Sequence, residues 1–401
     1  MQPSCWCFWL VLWQSGSTSD RESHKMKLHY QKRQRARELG VPLSGVPGTI
    51  NAITDVPGVL VGTQTLSSIQ DKSLTTGTLP VQTGVTAILP RGFEKKPYPV
   101  TAGQFTLNGN GEMTGTHWIR DGGWFVGPIM ITNSHSVGMA HHAATKWMLE
   151  HYANEWDKNH LWAIPVVAET YDGVLNDING MHVTAEHASA AIMAAKSGPV
   201  DEGNTGGGAG MICYEFKGGT GTSSRKAQLD GKDFVIGALV QANHGLRPWF
   251  TVAGVHVGQT LIHDRIPGML KERGSIICVI ATDIPLSSSQ LDRLSRRATI
   301  GIGRGGTPGG NSSGDIFVSF STANKSPMPQ LDGAWSTKTT LNDELLDEVY
   351  LSGIEAVEEA ILNAMLAAED IPLARPASGI CRALNPDQLM NALNNRNSRI
   401  Q

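Results

Sequence analysis

The sequence predicts a layered α+β fold, because it contains two kinds of segment. Short apolar stretches alternate with glycine-rich turns along most of the chain, and 45 of the 401 residues are glycine. Four longer stretches have the apolar spacing of about 3.6 residues that is typical of helices. The two kinds of segment alternate without the regular strand-helix-strand rhythm of a doubly wound parallel sheet, which favours a layered α+β architecture.

The predicted strands are short apolar runs bounded by glycine, proline, asparagine or aspartate. Their length fits strands better than helices. Glycine lets a backbone pass close to a ligand, so we expect the loops between strands to carry the functional site. The predicted strands cover residues 57–62, 84–90, 128–133, 161–168, 211–216, 234–242, 275–282 and 315–321.

The predicted helices each begin at a residue that can cap a helix N-terminus. These residues are Ser136, Thr184, Ser287 and Asn342, and the last is followed by acidic residues in the first turn. We expect residues 1 to about 40 and the polar end NNRNSRIQ to be tails. The helical segments are SVGMAHHAATKWMLEHYANEW (136–156), HVTAEHASAAIMAAKSG (182–198), SSSQLDRLSRRATIGIG (287–303) and NDELLDEVYLSGIEAVEEAILNAMLAAED (342–370).

The net charge of the chain and its first 25 residues indicate which partners and which cellular location to expect. The formal net charge is −3, and the longest basic run is QKRQRAR, so no nucleic-acid partner is expected. The apolar run CWCFWLVLW is too short to span a bilayer, so no membrane association is expected. Residues 1–25 are either an atypical signal peptide or the result of a misassigned start before Met26. A cytoplasmic location is expected, and a periplasmic or secreted one stays open if residues 1–25 are a signal.

The sequence lacks the usual motifs of metal sites and of common serine hydrolases. The five cysteines are an odd set without a CxxC pair, and buried free thiols are the expected interpretation. Histidines 135, 141, 142 and 151 cluster around one predicted helix without an HExxH motif, so no metal is expected. The nucleophile elbow GxSxG of many serine hydrolases is also absent.

The glycine-rich segment GNTGGGAGMICYEFKGGTGTSSR, residues 203–225, has three interpretations. A phosphate-binding loop would require a helix after the glycines, but a strand-like run follows them. A hairpin with glycine turns is the structural alternative. A loop that lies close to a substrate or to a partner chain is the third, and glycine alone does not decide among them.

Gly274-Ser275, in KERGSIICVIATD, places a serine at the first residue of a predicted strand. Cleavage before this serine would free an α-amine, which could act as the base for the serine hydroxyl without any histidine. Glycine before the cut would allow backbone conformations that expose the scissile carbonyl. The alternative is an ordinary junction between a loop and a strand.

A second serine, Ser312, also precedes an apolar strand, so Asn311-Ser312 is a rival cleavage site. In the same stretch, Ser313 and Asp315 could instead orient a nucleophile that comes from elsewhere. Residues two apart in an extended segment face the same side, so these two side chains are expected to point together into one site.

Several segments in a fixed order resemble one family over nearly all of residues 35–390. The chain is similar to the DmpA-type L-aminopeptidases/D-amino-acid esterases and β-peptidyl aminopeptidases, peptidase family S58. The matching segments are VPGTINAITDVPGVLVG, LNGNGEMTGT, TNSHSVG, VVAETYDG, GGGAGMICYEFKGGTGTSSR, LVQANHG, RGSIICVIATDIPL and NSSGDIFVSFSTAN.

This resemblance implies a four-layer αββα sandwich that cuts itself between Gly274 and Ser275. Residues 26–274 would form the α chain and residues 275–401 the β chain of a single hydrolase domain. The sandwich type is shared with the ornithine acetyltransferases. Cleavage would thus occur before Ser275 and not at Asn311-Ser312, and Ser275 would be both the cleavage residue and the nucleophile.

The resemblance also implies roles for six further residues. Asn243 would donate to the oxyanion, and Ser313 with Asp315 would hold the nucleophile and its amine. Glu169 would bind the ammonium group of the substrate, and the remaining two, Tyr171 and Trp162, would line the pocket unless they simply pack in the core. The acid after Ser313-Gly314 is Asp where relatives have Asp or Glu, which leaves the preference among α- and β-amino residues open.

The expected function is removal of the N-terminal residue from short peptides, amides or esters through an acyl-enzyme on Ser275. No cofactor is expected, and the family suggests a homotetramer of processed αβ heterodimers. Two alternatives remain. The first is an acyltransferase of the ornithine acetyltransferase type, which uses threonine where Ser275 stands, and the second is a glycine-rich ligand-binding protein without enzymatic activity.

Overall fold

A computed structural model describes residues 34–397 except 75, 76, 160, 270 and 273, and at 396 and 397 it describes the backbone only. The interpretations of residues 1–25 and of Cys5 and Cys7 lie outside the described residues. The strands are β1 (Leu60–Ser67), β2 (Gln82–Leu89), β3 (Val100–Gly109), β4 (Trp124–Phe125), β5 (Ile129–Asn133), β6 (Val166–Thr170), β7 (Ile212–Cys213), β8 (Phe216–Lys217), β9 (Gly219–Leu229), β10 (Lys232–Asn243), β11 (Ser275–Thr282), β12 (Gly314–Ser321), β13 (Ile371–Pro372) and β14 (Ile380–Cys381).

The helices flank these strands in space. They are α1 (Thr116–Gly122), α2 (Val137–His151), α3 (Ala153–Asn159), α4 (Ala185–Met193), α5 (Ser288–Arg304), α6 (Leu346–Leu366) and α7 (Pro386–Asn397). Within residues 34–397, no helix combines the length and the apolar character that crossing a lipid bilayer requires.

Two sheets form the two central layers. The larger has the strand order β4-β3-β12-β11-β10-β9, with β11 and β12 parallel, and the smaller has the order β1-β2-β5-β6. Helices α5 and α6 pack on the outer face of the larger sheet, and α2 and α4 pack on the smaller one. One apolar core lies between the sheets and another lies under each helix layer. The predicted αββα sandwich is therefore confirmed.

Strand β11 shows why a continuous apolar run appears in the sequence. Its residues are buried on both faces: Ile276 and Cys278 face α5 and α6, whereas Ile277 and Val279 face the smaller sheet. A strand in the middle of four layers has no solvent-facing side, so it needs no polar alternation. Helix layers approach the sheet closely at glycines, and a Cβ on Gly221 of β9 would lie 2.1 Å from the carbonyl oxygen of Ala360 in α6.

Most predicted elements are present, and the differences have local causes. The strand predicted at 211–216 is wrong: it is a tight β7-β8 hairpin whose turn residues Tyr214 and Glu215 have φ of 51° and 60°. Arg247 stabilises this turn by donating to the carbonyl oxygens of both residues, at 2.9 and 2.7 Å. The sequence missed β3 and β9, which are rich in glycine, serine and threonine.

The expectation of an N-terminal tail up to about residue 40 is also wrong for its described part. Ala36 is fully buried, and its backbone N–H donates to Asn363 of α6 at 3.1 Å. Arg35 and Arg37 form ion pairs with Glu202 and Glu359, at 2.8 and 2.7 Å. Likewise, α7 extends to Asn397, into the segment predicted as the C-terminal tail.

Candidate active site

Strand ends from both sheets converge at one end of the sandwich. In the larger sheet, Asn243 at the end of β10 pairs with Ser275 at the start of β11, and Ser275 pairs with Gly314 at the start of β12. Gly314 in turn pairs with Gly109 at the end of β3. This register places candidate residues that are far apart in the sequence side by side.

Ser275 is nearly buried in the uncut chain, with 4% of its surface exposed. Gly274 lies against the strand end, where a Cβ would come 1.8 Å from the carbonyl oxygen of Asn243. The φ of Gly274 is outside the left-handed region. Glycine is therefore required here for close approach to the backbone, not for the unusual backbone conformation that the sequence suggested.

Asp315 is the centre of a hydrogen-bond network beside Ser275. It accepts from the Ser313 hydroxyl at 2.6 Å, so the two side chains point together as their spacing predicts. It also accepts from Asn108 Nδ2 at 3.1 Å, and its strand partner in β11 is Ile276, the residue after the nucleophile candidate. Burial raises the pKa of Asp315. The carboxyl thus lies next to the position where cleavage would create a terminal amine.

Asn243 is held rigidly by both ends of its amide. Its Oδ1 accepts from the backbone N–H of Ile212 at 2.8 Å, and its Nδ2 donates to the Tyr171 carbonyl at 3.0 Å. The next residue, His244, points away toward Tyr214, and burial lowers its pKa to about 3. His244 is therefore neutral and directed into the apolar core.

Glu169, near the end of β6, brings a carboxylate from the smaller sheet to the same place. It accepts from the Glu112 backbone N–H at 2.9 Å and from the Ser134 hydroxyl. A Cβ on Gly111 would lie 3.1 Å from Glu169 Oε1 and 3.3 Å from Cα of Gly314, the strand partner of Ser275. Burial raises the pKa of Glu169. The site thus combines a buried acid with the strand ends.

The two predicted pocket residues are both on the surface of the chain. Tyr171 is 43% exposed and Trp162 is 57% exposed, so neither packs in the core. Tyr171 is joined to the site because its carbonyl oxygen holds Asn243. Trp162 lies in the loop that precedes β6.

Two further residues belong to this network and were missed from the sequence. Asn108 bridges Asp315 and the carbonyl oxygen of Gly310, and Ser134 donates to Glu169. Both lie in segments, LNGNG and TNSHSVG, that carry the family resemblance. The sequence feature that could have identified Asn108 and Ser134 is the group of glycines and polar residues at these strand ends. The rival Ser312 is exposed and lies in a turn, not at a strand start.

The glycine-rich segment serves to bring the two sheets together. Residues 206–210 form a buried 3-10 turn. A Cβ on Gly207 would lie 2.1 Å from Gln241 Oε1, and one on Gly208 would lie 2.1 Å from the backbone nitrogen of Thr220. Neighbouring protein atoms therefore leave no room for a side chain at these positions, which requires glycine.

The described cysteines form no disulfide bond, and the possible metal ligands form no cluster in the described part of the chain. Cys213, Cys278 and Cys381 are buried free thiols, as expected for these three. Among the described residues, no group of three or more His, Cys, Asp or Glu side chains is arranged to hold a metal ion.

Solved structures with the same architecture define the class. The structure of an L-aminopeptidase D-Ala-esterase/amidase from Ochrobactrum anthropi, described as a prototype serine aminopeptidase and a variant of the Ntn hydrolase fold, superposes with a TM-score of 0.86. The two sequences are 53% identical, and the match covers 90% of this chain and 99% of that one. A β-aminopeptidase from Burkholderia sp. gives a TM-score of 0.82 at 42% identity, with coverage of 90% and 99%. The fold is thus that of N-terminal nucleophile hydrolases.

The family follows from the sequence matches. The model of peptidase family S58 matches residues 51–376. Beta-peptidyl aminopeptidase BapA of Sphingosinicella microcystinivorans is 50% identical over 350 residues, which are 84% of this chain and 86% of that protein. The chain belongs to peptidase family S58, and it is a serine-type aminopeptidase with an N-terminal nucleophile.

Proposed function

We propose that the chain cuts itself between Gly274 and Ser275 and then removes N-terminal residues from short peptides, amino-acid amides and esters. The observation that carries this proposal is the strand register, which places Ser275 between Asn243 and the Ser313-Asp315 pair. The relatives described above are aminopeptidases, which favours hydrolysis over the acyltransferase and ligand-binding alternatives.

Self-cleavage begins when the Ser275 hydroxyl oxygen attacks the Gly274 carbonyl carbon. An ester bond forms, the peptide bond to the Ser275 nitrogen breaks, and the hydroxyl proton moves to that nitrogen. Water then hydrolyses the ester, leaving a carboxylate on Gly274 and restoring the hydroxyl. The product is a chain that begins with Ser275 and carries a free α-amine.

In the mature enzyme this amine is the general base. Its ordinary pKa of about 7.7–8.0 lets it accept the hydroxyl proton near neutral pH and return it to the leaving group. Asp315, whose strand partner Ile276 directly follows Ser275, holds this amine. His244 is neutral and directed into the core, which supports a base other than histidine.

Asn243 stabilises the charge that develops on the substrate carbonyl oxygen. Its Nδ2 carries two hydrogens, and one of them is engaged by the Tyr171 carbonyl. The other donates to the oxyanion. Because both ends of the amide are held by backbone groups, this donor needs no reorganisation during the reaction, which is the main requirement for electrostatic stabilisation.

Glu169 binds the α- or β-ammonium group of the substrate. A buried carboxylate pairs strongly with an ammonium group, and here it lies beside the strand partner of Ser275. This arrangement favours substrates with a free N-terminus. Tyr171 and Trp162, both partly exposed, line the approach to this site.

Assembly and location are part of the same proposal. We infer a homotetramer of processed αβ heterodimers, on the basis of the family resemblance. We also infer a cytoplasmic location, which is supported by three cysteines that remain unpaired thiols. Periplasmic or secreted placement is the alternative if residues 1–25 act as a signal.

The decisive experiment replaces the nucleophile. Ser275→Ala should yield an uncut, inactive chain, because the hydroxyl that attacks Gly274 is missing. Intact mass measurement and N-terminal sequencing of purified wild-type protein should find a chain that starts with Ser-Ile-Ile.

Ser312→Ala is the matched control, since Ser312 is exposed and outside the network. It should cleave and hydrolyse substrates like the wild type. Two normal fragments from Ser275→Ala, or an active wild-type preparation without a chain beginning at Ser275, would contradict the proposal.

A further inference from the structure

Glu272 lies just upstream of the cleavage site and joins three segments of the chain. Its Oε1 accepts from the backbone N–H of Gly245 at 2.5 Å, and its Oε2 accepts from that of Gly310 at 3.0 Å. The Thr307 hydroxyl lies 3.4 Å from both oxygens. One carboxylate thus ties the segment before the cut to the loop after β10 and to the loop before β12.

These two loops adjoin the strand ends that carry the proposed catalytic groups. Gly245 follows Asn243 closely in the sequence, and Gly310 precedes Ser313. Gly310 also accepts from Asn108 Nδ2 at 3.0 Å, and the same nitrogen donates to Asp315 at 3.1 Å. A continuous chain of hydrogen bonds therefore runs from Glu272 through Gly310 and Asn108 to Asp315.

Gly274 is held on the other side by direct packing. A Cβ there would lie 1.8 Å from the Asn243 carbonyl oxygen and 3.0 Å from Cα of His244. With Glu272 anchored before it and Ser275 paired in β11 after it, the scissile peptide is fastened at both ends. Intramolecular attack depends strongly on such placement of the reacting atoms.

The environment of Glu272 disfavours the charged form of its carboxyl group. Burial raises the pKa of Glu272, and the charge of nearby Asp315 raises it further. A partly buried carboxylate is unfavourable unless it is hydrogen-bonded, and each oxygen of Glu272 accepts from a backbone N–H. Two N–H donors, one on each oxygen, require two acceptor oxygens, and a carboxylate provides them.

We propose that Glu272 is a positioning residue for self-cleavage: its carboxylate holds the Gly274-Ser275 peptide in register with Asn243 and the Asp315 network. This inference rests on the proposed function, because it presupposes attack by Ser275. Glu272 acts before the cut, and we assign it no role in the reaction of the mature enzyme.

The test compares Glu272→Gln with the wild type. Glutamine has the same shape, but its NH₂ group faces an N–H donor of Gly245 or Gly310, so the anchor weakens. After cell-free synthesis is stopped, the uncut chain should convert to fragments at least about tenfold more slowly than wild type. Glu150→Gln, the same change at an exposed glutamate in α2, should cleave at the wild-type rate.

Two further measurements separate positioning from general stability. In a Ser275→Ala background, where the chain cannot cut itself, Glu272→Gln should change the melting temperature by no more than a few degrees. The fraction of Glu272→Gln that has matured should retain kcat/KM, per Ser275 N-terminus, within about threefold of wild type.

The inference is overturned by cleavage of Glu272→Gln at the wild-type rate, or by a large loss of melting temperature in the uncut background. It is also overturned if kcat/KM per Ser275 N-terminus falls as much as the cleavage rate, which would place Glu272 in the mature reaction. Normal cleavage of Ser275→Ala is a different result, and it would contradict the proposed function itself.

Discussion

Gly274 is required because every other residue has a Cβ atom, and there is no room for one at this position. The sequence places glycine before the proposed nucleophile, and the structure shows that a Cβ would collide with the carbonyl oxygen of Asn243. Close approach of two backbones, and not a positive φ, explains this glycine. The same approach keeps the peptide bond proposed for cleavage beside the residue proposed to stabilise the oxyanion.

Glu169→Gln provides a test at the level of a single residue. Loss of the charge should raise KM for substrates with a free N-terminus by about 10-fold to 100-fold, since a charge-assisted hydrogen bond is lost. Only the ionised carboxylate binds an ammonium group. Because burial raises the pKa of Glu169, wild-type kcat/KM should fall with decreasing pH at a higher pH than for an ordinary glutamate. Steady-state kinetics across acidic pH would measure both effects.

Glu112→Gln is the matched control, because the exposed Glu112 hydrogen-bonds Glu169 through its backbone N–H, which the substitution keeps, and its charge is only a minor cause of the raised pKa of Glu169. It should change KM by less than about threefold, as expected for an exposed charge. If Glu169→Gln retains the KM and the acid limb of the wild type, Glu169 does not bind the substrate ammonium.

At the scale of the element, burial explains which strands could be predicted. Strand β11 was predicted with its observed bounds because a strand buried on both faces is a continuous apolar run. Strand β9 was missed, although Gly219, Gly221 and Ser223 are just as buried. Gly221 and Ser223 leave room for α6, and this requirement comes from the neighbouring layer. A secondary-structure propensity scale does not include this requirement, because it considers only the residues of the segment itself.

Gly221→Ala tests this packing. The added methyl group would lie 2.1 Å from the Ala360 carbonyl oxygen and 2.7 Å from the Ala364 Cβ, so α6 must shift. We expect a loss of about 1–3 kcal/mol in the free energy of unfolding, which is typical of overpacked cores. Thermal melts of the purified variants would show it as a lower melting temperature.

Gly303→Ala is the corresponding control within α5. A Cβ there has no heavy atom within 4 Å, and alanine favours a helix over glycine by up to about 1 kcal/mol. This variant should melt at or above the wild-type temperature. Equal melting temperatures for the two variants would show that α6 does not depend on a glycine in β9.

At the scale of the whole molecule, Lys217 holds the glycine turn between the two sheets. Its ammonium group is fully buried and donates to the carbonyl oxygens of Gly208 and Gly218, at 3.1 and 2.9 Å. Burial lowers the pKa of Lys217 to about 7, from an ordinary value of 10.5. The folded chain therefore releases this proton at a lower pH than the unfolded chain.

The sign of the resulting pH dependence follows from proton binding. Between pH 7 and 10.5 the unfolded state binds more protons at Lys217 than the folded state, so this residue makes stability rise with pH in that window. Lys217→Met should remove this contribution, which melting temperatures measured from pH 7 to 10 would reveal. Lys226→Met, at an exposed position of β9, should leave the slope unchanged. A slope that survives in Lys217→Met would contradict the lowered pKa.

Sequence by itself determined the α+β class, the main helices with the side-chain caps at Thr184 and Ser287, the strands that are buried on both faces, and the family. The predicted cap at Ser136 is wrong, because its side chain makes no capping hydrogen bond, and Asn342 caps the 3-10 turn before α6. The sequence determined these features because caps, apolar runs and ordered motifs are local. It also named most of the candidate site, since Ser275, Asn243, Ser313, Asp315 and Glu169 lie in those motifs.

Tertiary structure alone decided what surrounds these residues. The links from Asn108 to Asp315, from Ser134 to Glu169 and from Glu272 to Gly310 join segments that are remote in the chain. The hairpin at Tyr214 depends likewise on Arg247, which lies beyond β10. Such contacts depend on strand register and on layer packing, and neither is encoded in the local pattern of any one segment.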